Sequence, residues 1–528
     1  LFGWRKWKQR RGHWRSPLLQ LAFFLFWLWR IFKWVWLGPK RLERLLRQQG
    51  LTGNPYRPLL GDFKDITEMR DEARRRPIGL SDDSLPRILP FHHHIIATYG
   101  KKCFWWSGPT PRVTLMEPEL VNEVLVKNNV FKKQSPTPLQ KMLLCVLASY
   151  ENEKWAKHRK IMTPAFYSEK LKRMLPAMHL SCSEMIHRWD SKLLPENNCT
   201  WEMDVLPELH DLTSDVISRT AFGSCYDEGR RIFELQKQLA HHTAPIMFSG
   251  YIPGWRFIPT KRNRKMKEIN NEMRGLVMGI ISRREKALKL GESNEGDDLL
   301  GILLNANLNE IKEHGNNKKA GISMEDVADE CKLLYLAGQE TTANVLAWTM
   351  ILLSMHPDWQ ARARDEVLKV FGKNKPEYDG LSHLRIVTMI LNEVLRLYPP
   401  VPTLTRVAEK DTTIGEMKLP AGTRLQLPLI FLHRDPEIWG EDSKEFKPER
   451  FSSGVAKASK KQQLAFFPFS WGPQTCIGNN FAMMEAKMVV SMILQRFSFQ
   501  LSPAYTHAPC FVVTVQPQNG AHLILHKL

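Results

Sequence analysis

Cysteine is sparse in this chain of 528 residues, which contains only eight, and no two of them form a CxxC pair or a zinc-ribbon spacing. That scarcity excludes a disulfide-rich scaffold and favours a reduced compartment in which most thiols act as small core residues. No internal repeat and no long Gly/Ser linker follows residue 62. The sequence also lacks the many apolar runs of a polytopic membrane protein and the low hydrophobicity of a disordered chain.

Acidic residues are fewer than basic ones, with 55 Asp and Glu against 75 Lys and Arg, so the formal net charge is +20. Such a charge suits a nucleic acid, an anionic membrane surface or an acidic protein partner. The sequence contains no aromatic–basic motif of the kind that binds nucleic acid, so we set nucleic acid aside as a partner.

One long apolar run occurs near the start of the sequence, at residues 17–37. Its first 13 residues include a single strongly polar side chain, Gln20, before Arg30 and Lys33 interrupt the run. Long basic side chains can reach the headgroups from such positions, and the tryptophans of this run are typical of a membrane interface. No small-residue cleavage site follows the run, which argues against a cleaved signal peptide. We therefore expect a single membrane anchor, and a helix that lies in the membrane interface is the main alternative.

The predicted organisation has three parts: a basic N-terminus and anchor at 1–37, a linker with a proline hinge at 38–61, and one body at 62–528. Pro55 and Pro58 each remove a backbone donor and favour extended backbone before them, so the hinge is stiff. A stiff hinge after an anchor would define how the body sits on the membrane.

Helical periodicity dominates the body, whereas strand-like runs are few and short. Many helices beside a minor sheet, without regular alternation of strands and helices, predict a mainly α fold with a small β lobe. We predict helices at 164–190, 205–222, 262–290, 297–312, 323–356, 358–371, 382–398 and 478–496. We predict strands at 412–415, 423–429, 496–501 and 511–515, with one or two more near 102–116.

The segment FSWGPQTCIG places Cys476 between two glycines, just before the helical pattern that begins at Asn479. A thiol at a helix N-terminus has its thiolate stabilised by the helix dipole and by free backbone N–H groups. Glycines let the backbone curl around the sulfur. A buried core cysteine explains Cys-x-Gly alone equally well, but the ten-residue pattern is more specific and favours a reactive or metal-binding thiol.

A second unusual segment, AGQETT at residues 337–342, lies inside the predicted helix 323–356. Glycine costs about 1 kcal/mol relative to alanine in a helix interior, and threonine hydroxyls can bond to the preceding turn and distort it. The apolar neighbours argue against an exposed helix face. The segment therefore indicates a site for water or a ligand in the middle of a core helix.

Two further motifs are weaker when taken singly. Glu393 and Arg396 are spaced i, i+3 on a predicted helix, a spacing that usually marks a solvated ion pair, but Arg450 in the downstream PERF segment offers a second cation to the same acid. Trp155 and Arg159 are spaced i, i+4, which presents one ring and one cation on the same helix face.

Together and in this order, the four motifs resemble those of the haem-thiolate monooxygenases, the cytochrome P450 superfamily. The resemblance covers essentially the whole chain after the anchor. GNPYR at 53–57, the segment 337–360 and the segment 467–487 are similar to plant members of clan seventy-two, above all the secologanin-synthase-like subfamily. The resemblance implies the cytochrome P450 fold, preceded by one N-terminal membrane anchor helix.

The resemblance implies haem b as the cofactor and Cys476 as the axial thiolate ligand of its iron. Thr341 and Glu340 would hold water and relay protons to dioxygen, the co-substrate. Glu393, Arg396 and Arg450 would form a structural lock that supports the cysteine loop. Phe469 would shield the sulfur, and Gly472 and Gly478 would let backbone amides approach it. The residues implied in holding the haem propionates are Trp155, Arg159, Arg406 and Gln474.

Gln474 departs from the family's motif, which usually has an arginine two residues before the cysteine, directed at a propionate. An amide can still donate a hydrogen bond, but the ion pair is lost. We expect altered haem retention or redox potential without loss of function, and we expect Gln474→Arg to retain haem equally well or better.

The resemblance further implies electrons from NADPH through NADPH–cytochrome P450 reductase, which has an acidic docking face. It implies an endoplasmic reticulum membrane location with the catalytic domain, 62–528, facing the cytosol. Membrane attraction or simple solvation also accounts for the positive charge. Candidates for the basic docking surface are Lys157, Lys160, Lys457, Lys460 and Lys461.

The substrate pocket should be lined by residues 128–147, 333–341, 401–405 and 509–513. Its expected apolar residues are Leu336, Ala337, Val401, Leu404 and Phe511, and Thr403 and Thr405 could orient a hydroxyl or an acid. Relatives with this signature oxidise terpenoids, so we predict terpenoid hydroxylation or oxidation, with triterpenoids ahead of iridoids and gibberellins. The alternatives are fatty acids or other hormones, a haem-thiolate isomerase or dehydratase without a reductase, and a non-catalytic haem protein.

Overall fold

Helices account for most of the computed structural model, which describes residues 17–136, 147–192, 200–223, 226–247, 260–290 and 298–528. The predicted mainly α fold with a small β lobe is confirmed. The basic residues 1–16, and residues 137–146 of the predicted pocket lining, lie outside the described residues.

The first part of the chain, up to residue 204, contains eight α-helices and five strands within its described ranges. The helices are α1 (Pro17–Phe32), α2 (Gly38–Gln48), α3 (Phe63–Arg75), α4 (Leu85–Ile88), α5 (Pro90–Tyr99), α6 (Pro118–Val126), α7 (Asn152–Met162) and α8 (Ser168–Lys192). The strands are β1 (Thr52–Gly53), β2 (Lys102–Ser107), β3 (Thr110–Leu115), β4 (Phe131–Lys133) and β5 (Thr200–Asp204).

The remainder carries the long helices first and most of the short strands afterwards. The helices are α9 (Val205–Phe222), α10 (Tyr226–Met247), α11 (Lys261–Leu290), α12 (Leu299–Glu313), α13 (Met324–Met355), α14 (Pro357–Phe371), α15 (Tyr378–His383), α16 (Arg385–Leu397), α17 (Leu429–Leu432), α18 (Pro436–Trp439) and α19 (Asn479–Leu494). The strands are β6 (Leu404–Ala408), β7 (Thr412–Ile414), β8 (Met417–Leu419), β9 (Arg424–Leu427), β10 (Phe497–Leu501), β11 (Pro509–Phe511), β12 (Val515–Pro517) and β13 (His522–Lys527).

The apolar N-terminal run forms one continuous helical segment, in which the π-helical residues Lys33–Leu37 join α1 to α2. Among the described residues, Leu19–Gln48 is the one helix long and apolar enough to cross a membrane. This helix continues past the predicted boundary at residue 37, and Leu46 near its end is buried in the core. The exposed first half fits a membrane anchor, whereas the last turns pack as part of the body.

The main sheet has the strand order β1-β2-β3-β9-β6-β4, and a smaller sheet has the order β10-β13-β5. Strands β6 and β4 pair antiparallel, which sets Arg406 directly opposite Lys133. Strand β5 pairs with β13, although more than 300 residues separate them in the sequence, as in the pair Asp204 and His522. Two hairpins, β7–β8 and β11–β12, complete the small β lobe.

Helix α13 is the central element of the body, because it packs against helices α9, α11, α16 and α19. Ser323 caps its N-terminus by accepting a hydrogen bond from the backbone N–H of Asp326 at 3.1 Å. A Cβ at Gly338 would lie 2.8 Å from Ile217 Cδ1, so glycine allows α9 to approach closely. The long helix therefore carries residues 337–342 through the interior.

The helices predicted from periodicity are present, with ends shifted by a few residues. The helix predicted at 164–190 begins at Ser168, because a 3₁₀ turn, Thr163–Phe166, precedes it. The single strand predicted at 511–515 is wrong: β11 ends at Phe511 and β12 begins at Val515, with a tight turn between them in which the Val512 N–H donates to Thr514 O at 3.2 Å. The long helix α10 and the shorter helices α3, α5 and α6 were not predicted, nor were strands β4, β5, β6 and β13.

Candidate functional site

The Cys476 loop reverses direction through two residues in the left-handed backbone region, Ser470 at φ 63° and Gly472 at φ 72°. The backbone N–H of Cys476 donates to Phe469 O at 2.9 Å, which closes the turn. A Cβ at Gly472 would lie 2.9 Å from Leu125 O, so this glycine permits both the turn and the close packing on α6. The loop thus presents its cysteine immediately before α19.

The Cys476 side chain is accessible to solvent, yet enough protein surrounds it that burial raises the pKa of its thiol. A side chain that is both accessible and surrounded lines an internal space, not the outer surface. The backbone N–H of Gly478 and the guanidinium of Arg159 act in the opposite direction and lower this pKa. They would stabilise a thiolate once a cation faces it.

Gly478 leaves unfilled space beside the sulfur. A Cβ there would have Phe166 Cε1, 3.8 Å away, as its nearest neighbour, which is ordinary van der Waals contact. The described protein therefore does not itself require glycine at this position. A group bound in the internal space, close to the loop, would leave no room for a Cβ at Gly478 and would therefore require glycine there.

The middle of α13 has an accessible face as well. Ala337 is exposed although Tyr335 and Thr342, on other faces of the same helix, are buried. Thr341 Oγ1 donates to Ala337 O at 2.7 Å, the bond to the preceding turn that the sequence predicts. Glu485 of α19 lies beside Thr342, so α13 meets the helix that follows Cys476. Burial raises the pKa of Glu485 well above its ordinary value.

Glu340 is held by polar groups from three elements. Its Oε1 accepts from Thr514 Oγ1 at 2.8 Å and from Asn344 Nδ2 at 3.3 Å. Its Oε2 lies 3.9 Å from His210 Nδ1 on α9, and burial lowers the pKa of that histidine. The carboxylate is therefore directed towards α9 and Thr514 and is not free in solvent. Thr514 and His210 had no local sequence signal that would have identified them.

The predicted propionate-binding cations lie on separate elements. Arg159 Nη1 donates to Thr475 O at 2.8 Å, which holds α7 against the cysteine loop. Arg406 is 5% exposed and donates to Thr405 O at 2.9 Å. Burial lowers the pKa of both guanidinium groups, and the partner that best offsets such burial is a carboxylate. Trp155 is half-buried on the same helix as Arg159.

The Gln474 amide donates to a carboxylate of the protein itself. Its Nε2 lies 3.2 and 3.3 Å from the two carboxylate oxygens of Glu151. Its Oε1 is buried and has no hydrogen-bond partner among the described residues. Glu151, a residue that the sequence did not identify, is thus an acceptor for this amide, and the expected hydrogen bond from Gln474 to a propionate stays a prediction.

Glu393 and Arg396 are fully buried and joined by two hydrogen bonds of 2.7 and 2.8 Å. Glu393 Oε1 also accepts from the backbone N–H of Lys447 at 2.9 Å and lies 3.5 Å from Arg450 Nε. Arg450 itself bonds Asp442 at 2.7 Å. The three predicted lock residues therefore meet, and they tie α16 to the segment that contains PERF.

His433 connects this lock to the cysteine loop. Its carbonyl oxygen accepts from Arg396 Nη1 at 2.8 Å, and its Nε2 accepts from the Phe467 N–H at 3.0 Å. Burial and the nearby Arg396 lower the pKa of His433 to about 3, so its ring is a neutral acceptor. Phe467 O in turn accepts from the Ser470 N–H at 3.1 Å. The only sequence signal for His433 was its place after an apolar run, which is too common to be specific.

Residues that flank three of the four predicted lining segments contact one another. The Val515 N–H donates to Pro400 O at 3.0 Å, and Trp348 Nε1 of α13 donates to Val515 O at 3.1 Å. Thr403 Oγ1 is occupied within the main sheet, because it donates to Leu427 O and accepts from Gln426. The apolar pocket candidates are exposed or half-buried, namely Leu336, Ala337, Val401, Leu404 and Phe511.

This arrangement of residues fits an iron porphyrin. An accessible thiol faces an internal space, a glycine leaves room beside it, and neither Arg159 nor Arg406 forms an ion pair with a carboxylate among the described residues. Cys476 would ligate the iron, and Arg159 and Arg406 would hold the carboxylates of the macrocycle.

Comparison with known proteins gives the same family. The family model for cytochrome P450 matches residues 87–523. Cytochrome P450 72A397 of Kalopanax septemlobus is 55% identical, over 95% of this chain and 96% of that protein. The 7-deoxyloganic acid hydroxylase of Catharanthus roseus is 54% identical over 97% and 98%, and secologanin synthase 1 of the same plant is 51% identical over 96% of each. The matched residues include every member of the site described above.

Proposed function

This chain belongs to the cytochrome P450 family, and from that premise we propose that it is a membrane-bound monooxygenase that hydroxylates or oxidises a terpenoid. The family uses haem and dioxygen, and the haem, when bound, supplies the oxygen-activating chemistry. The chain's own residues bind and orient the substrate, exclude water and move protons. The proposal rests mainly on one observation: the Cys476 thiol is accessible although protein surrounds it, and the accessible Ala337 lies on α13, which packs against the helix that follows Cys476.

A terpenoid fits the apolar character of the proposed pocket. Leu336, Leu404 and Phe511 pack against the core and offer apolar surface, while the hydroxyl of Thr403 is used within the sheet and does not orient a ligand. Two relatives are named 7-deoxyloganic acid hydroxylase and secologanin synthase, which supports a terpenoid as the class of substrate. We propose a triterpenoid first, with an iridoid or a gibberellin next.

Electrons would come from NADPH through NADPH–cytochrome P450 reductase, docked on a basic surface. Lys457 and Lys460 are exposed. Lys461 is also exposed and forms an ion pair with Glu119 at 2.9 Å. Lys160 is paired with Glu310 at 2.7 Å and Lys157 donates to Lys319 O at 2.6 Å, so these two are weaker candidates. The apolar helix at the N-terminus would hold the enzyme on the endoplasmic reticulum, with the body in the cytosol.

The substrate class is tested by ligand-induced shifts of the Soret band. The full chain is expressed in microsomes and first shown to give the reduced carbonyl spectrum of a haem thiolate. Triterpenoids, iridoid acids and gibberellins are then titrated separately. We expect a high-spin shift with one class, and turnover of that class when reductase and NADPH are added. Absence of a shift with all three classes, in a preparation that gives the carbonyl spectrum, would contradict the terpenoid proposal while leaving the haem thiolate intact.

Thr341→Val should uncouple oxygen consumption from product formation, because the hydroxyl that would hold water and pass protons in the interior is lost. We expect NADPH-dependent oxygen uptake to continue while the product formed per oxygen falls several-fold. Thr349→Val is the matched control, since Thr349 Oγ1 makes the same bond to the preceding turn, to Val345 O at 2.7 Å, on the same helix. Equal coupling in the two variants would remove Thr341 from the proton relay.

A further inference from the structure

The main sheet is strongly basic, because its six strands contain six Lys and Arg residues and no Asp or Glu. Its register places Trp105, Arg112, Arg424, Val407 and Lys132 in one row across five neighbouring strands. Directly paired residues extend from the same face of a sheet, so three of the cations lie in one line on one face. We call this line the cationic row.

Arg112 and Arg424 are adjacent in the cationic row and lack a counter-charge. Both are half-buried, and Arg112 donates only to neutral oxygens, those of the Gln426 and Gln134 amides at 3.4 and 3.0 Å. Neither arginine forms an ion pair with a carboxylate among the described residues, and residues 137–146, outside the described ranges, contain no Asp or Glu in their sequence. Burial and the neighbouring Arg424 lower the pKa of Arg112 to about 9. Such a pair of cations suits a bound anion.

Hydrogen-bonding capacity beside Arg112 is also unused. Its Nε, the Nε1 of Trp105 and the Nε2 of His92 are buried and have no hydrogen-bond partner among the described residues. Trp105 is only 5% exposed, and the centre of its ring lies 5.3 Å from the guanidinium carbon of Arg112 and 5.5 Å from the His92 ring. Buried polar groups are nearly always paired, so this cluster indicates a ligand with several acceptor oxygens.

The two arginines lie at one end of the main sheet. Arg424 is the first residue of β9 and Arg112 lies near the start of β3, and these two strands run parallel. The turn that leads into β3 packs against the proline hinge, because a Cβ at Gly108 would lie 3.2 Å from Leu59 O. Helix α2, which continues the anchor, packs against β3 as well.

This end of the sheet is tied to the membrane anchor. Tyr56 Oη donates to the carbonyl oxygen of Val35, in the anchor helix, at 2.6 Å and accepts from the Leu59 N–H at 3.3 Å. Leu59 and Leu60 are both exposed large apolar side chains on the loop that this tyrosine holds. The loop therefore offers apolar surface beside the anchor, next to the strand that carries Arg112.

We propose that Arg112, Arg424 and Trp105 bind the phosphate group of an anionic membrane lipid whose acyl chains lie against Leu59 and Leu60. Guanidinium groups match phosphate in geometry and charge, and the indole N–H supplies a further donor. A phosphomonoester carries about −1.5 to −2 charges near neutral pH, which suits two arginines and favours a headgroup such as that of phosphatidic acid. The proposal goes beyond the haem site and does not depend on the substrate.

Arg424→Gln should weaken the binding of phosphatidic acid, and Lys418→Gln is the matched control. Lys418 is exposed near the end of the anchor helix, since its carbonyl oxygen accepts from Gln49 Nε2 at 2.9 Å. The full chain, in micelles of a neutral detergent, is titrated with dihexanoyl phosphatidic acid in a calorimeter. Loss of a charge-assisted hydrogen bond should lower the affinity roughly tenfold or more in Arg424→Gln and leave it unchanged in Lys418→Gln. Equal affinities in the two variants would overturn the proposal.

Trp105→Phe tests the indole donor with little risk to the fold. It removes an N–H that has no partner among the described residues and keeps most of the ring. We expect a several-fold loss of affinity for phosphatidic acid while the half-life of the haem-thiolate spectrum on warming stays unchanged. Unchanged affinity would remove Trp105 from the proposed site.

Two further probes identify the source of the phosphate. Inorganic phosphate and dihexanoyl phosphatidylcholine should both bind at least tenfold more weakly than dihexanoyl phosphatidic acid, because the first lacks acyl chains and the second carries its own cation. Equal binding of inorganic phosphate would mean a site for free phosphate, and equal binding of phosphatidylcholine would mean detergent-like association. Either result would contradict the lipid proposal. If Arg424→Gln accumulates poorly, Arg424→Lys serves the same comparison, since an ammonium group cannot bind phosphate through a planar fork.

Discussion

Cys476→Ser is expected to abolish the red-shifted Soret band of the reduced carbonyl complex and, with it, all monooxygenase activity. A serine hydroxyl remains protonated near neutral pH, so it cannot supply the anionic sulfur that a thiolate ligand provides. The fold should survive, because the Cys476 backbone N–H, not its side chain, closes the loop onto Phe469 O at 2.9 Å. We therefore expect the red-shifted Soret band to disappear completely while the stability of the fold changes little.

Cys510→Ser is the appropriate control for this variant. Cys510 is buried, unlike Cys476, and it lies beside Arg74, Arg87 and Gln516, polar groups that accommodate a hydroxyl. This variant should keep the full carbonyl spectrum. If Cys476→Ser kept the red-shifted band, or if Cys510→Ser lost it, the assignment of Cys476 as the iron ligand would be wrong.

Most of the site could be predicted because its motifs are local in the sequence. The helix predicted at 323–356 is observed at Met324–Met355, since a 3.6-residue apolar pattern records burial directly. Thr341 bonds to Ala337 O because both lie on adjacent turns of that helix. Local spacing similarly anticipated that Glu393 and Arg396 would pair.

What could not be predicted depends on contacts between distant segments. Lys133 and Arg406 become neighbours only when β4 pairs with β6, and nothing in either segment records that pairing. The run 511–515 resembles one strand because of its β-branched valines, yet Thr514 turns away to bond Glu340 on α13. The bond from Gln474 to Glu151 could not be predicted, because it depends on a residue more than 300 positions earlier.

Glu393→Gln is expected to destabilise the protein severely. The change leaves the Arg396 guanidinium, which is fully buried, without its counter-charge. Breaking a buried ion pair by removing one partner costs about 3–5 kcal/mol, a large share of the stability of a typical domain. Because large proteins often unfold irreversibly, the quantity to measure is the half-life of the haem-thiolate spectrum on warming.

Glu123→Gln provides the same chemical change in a surface ion pair. Glu123 pairs with Lys127 at 2.7 Å on α6, and both side chains are partly exposed. Such pairs contribute about 0–1 kcal/mol, so this variant should resemble the wild type. Equal half-lives for Glu393→Gln and Glu123→Gln would show that the buried lock contributes little to stability.

The double variant Glu393→Leu/Arg396→Met distinguishes a simple ion pair from a network. Replacing both partners of an isolated buried pair by apolar residues often restores stability. Here Arg396 also donates to the carbonyl oxygens of His433, Ser443 and Glu445, which would all lose their donor. We therefore expect no recovery in the double variant.

Because His433 Nε2 also accepts from the Phe467 N–H, the thiolate spectrum should decay before helical circular dichroism does. Simultaneous loss of both signals would mean that the lock supports the whole fold and not the cysteine loop in particular.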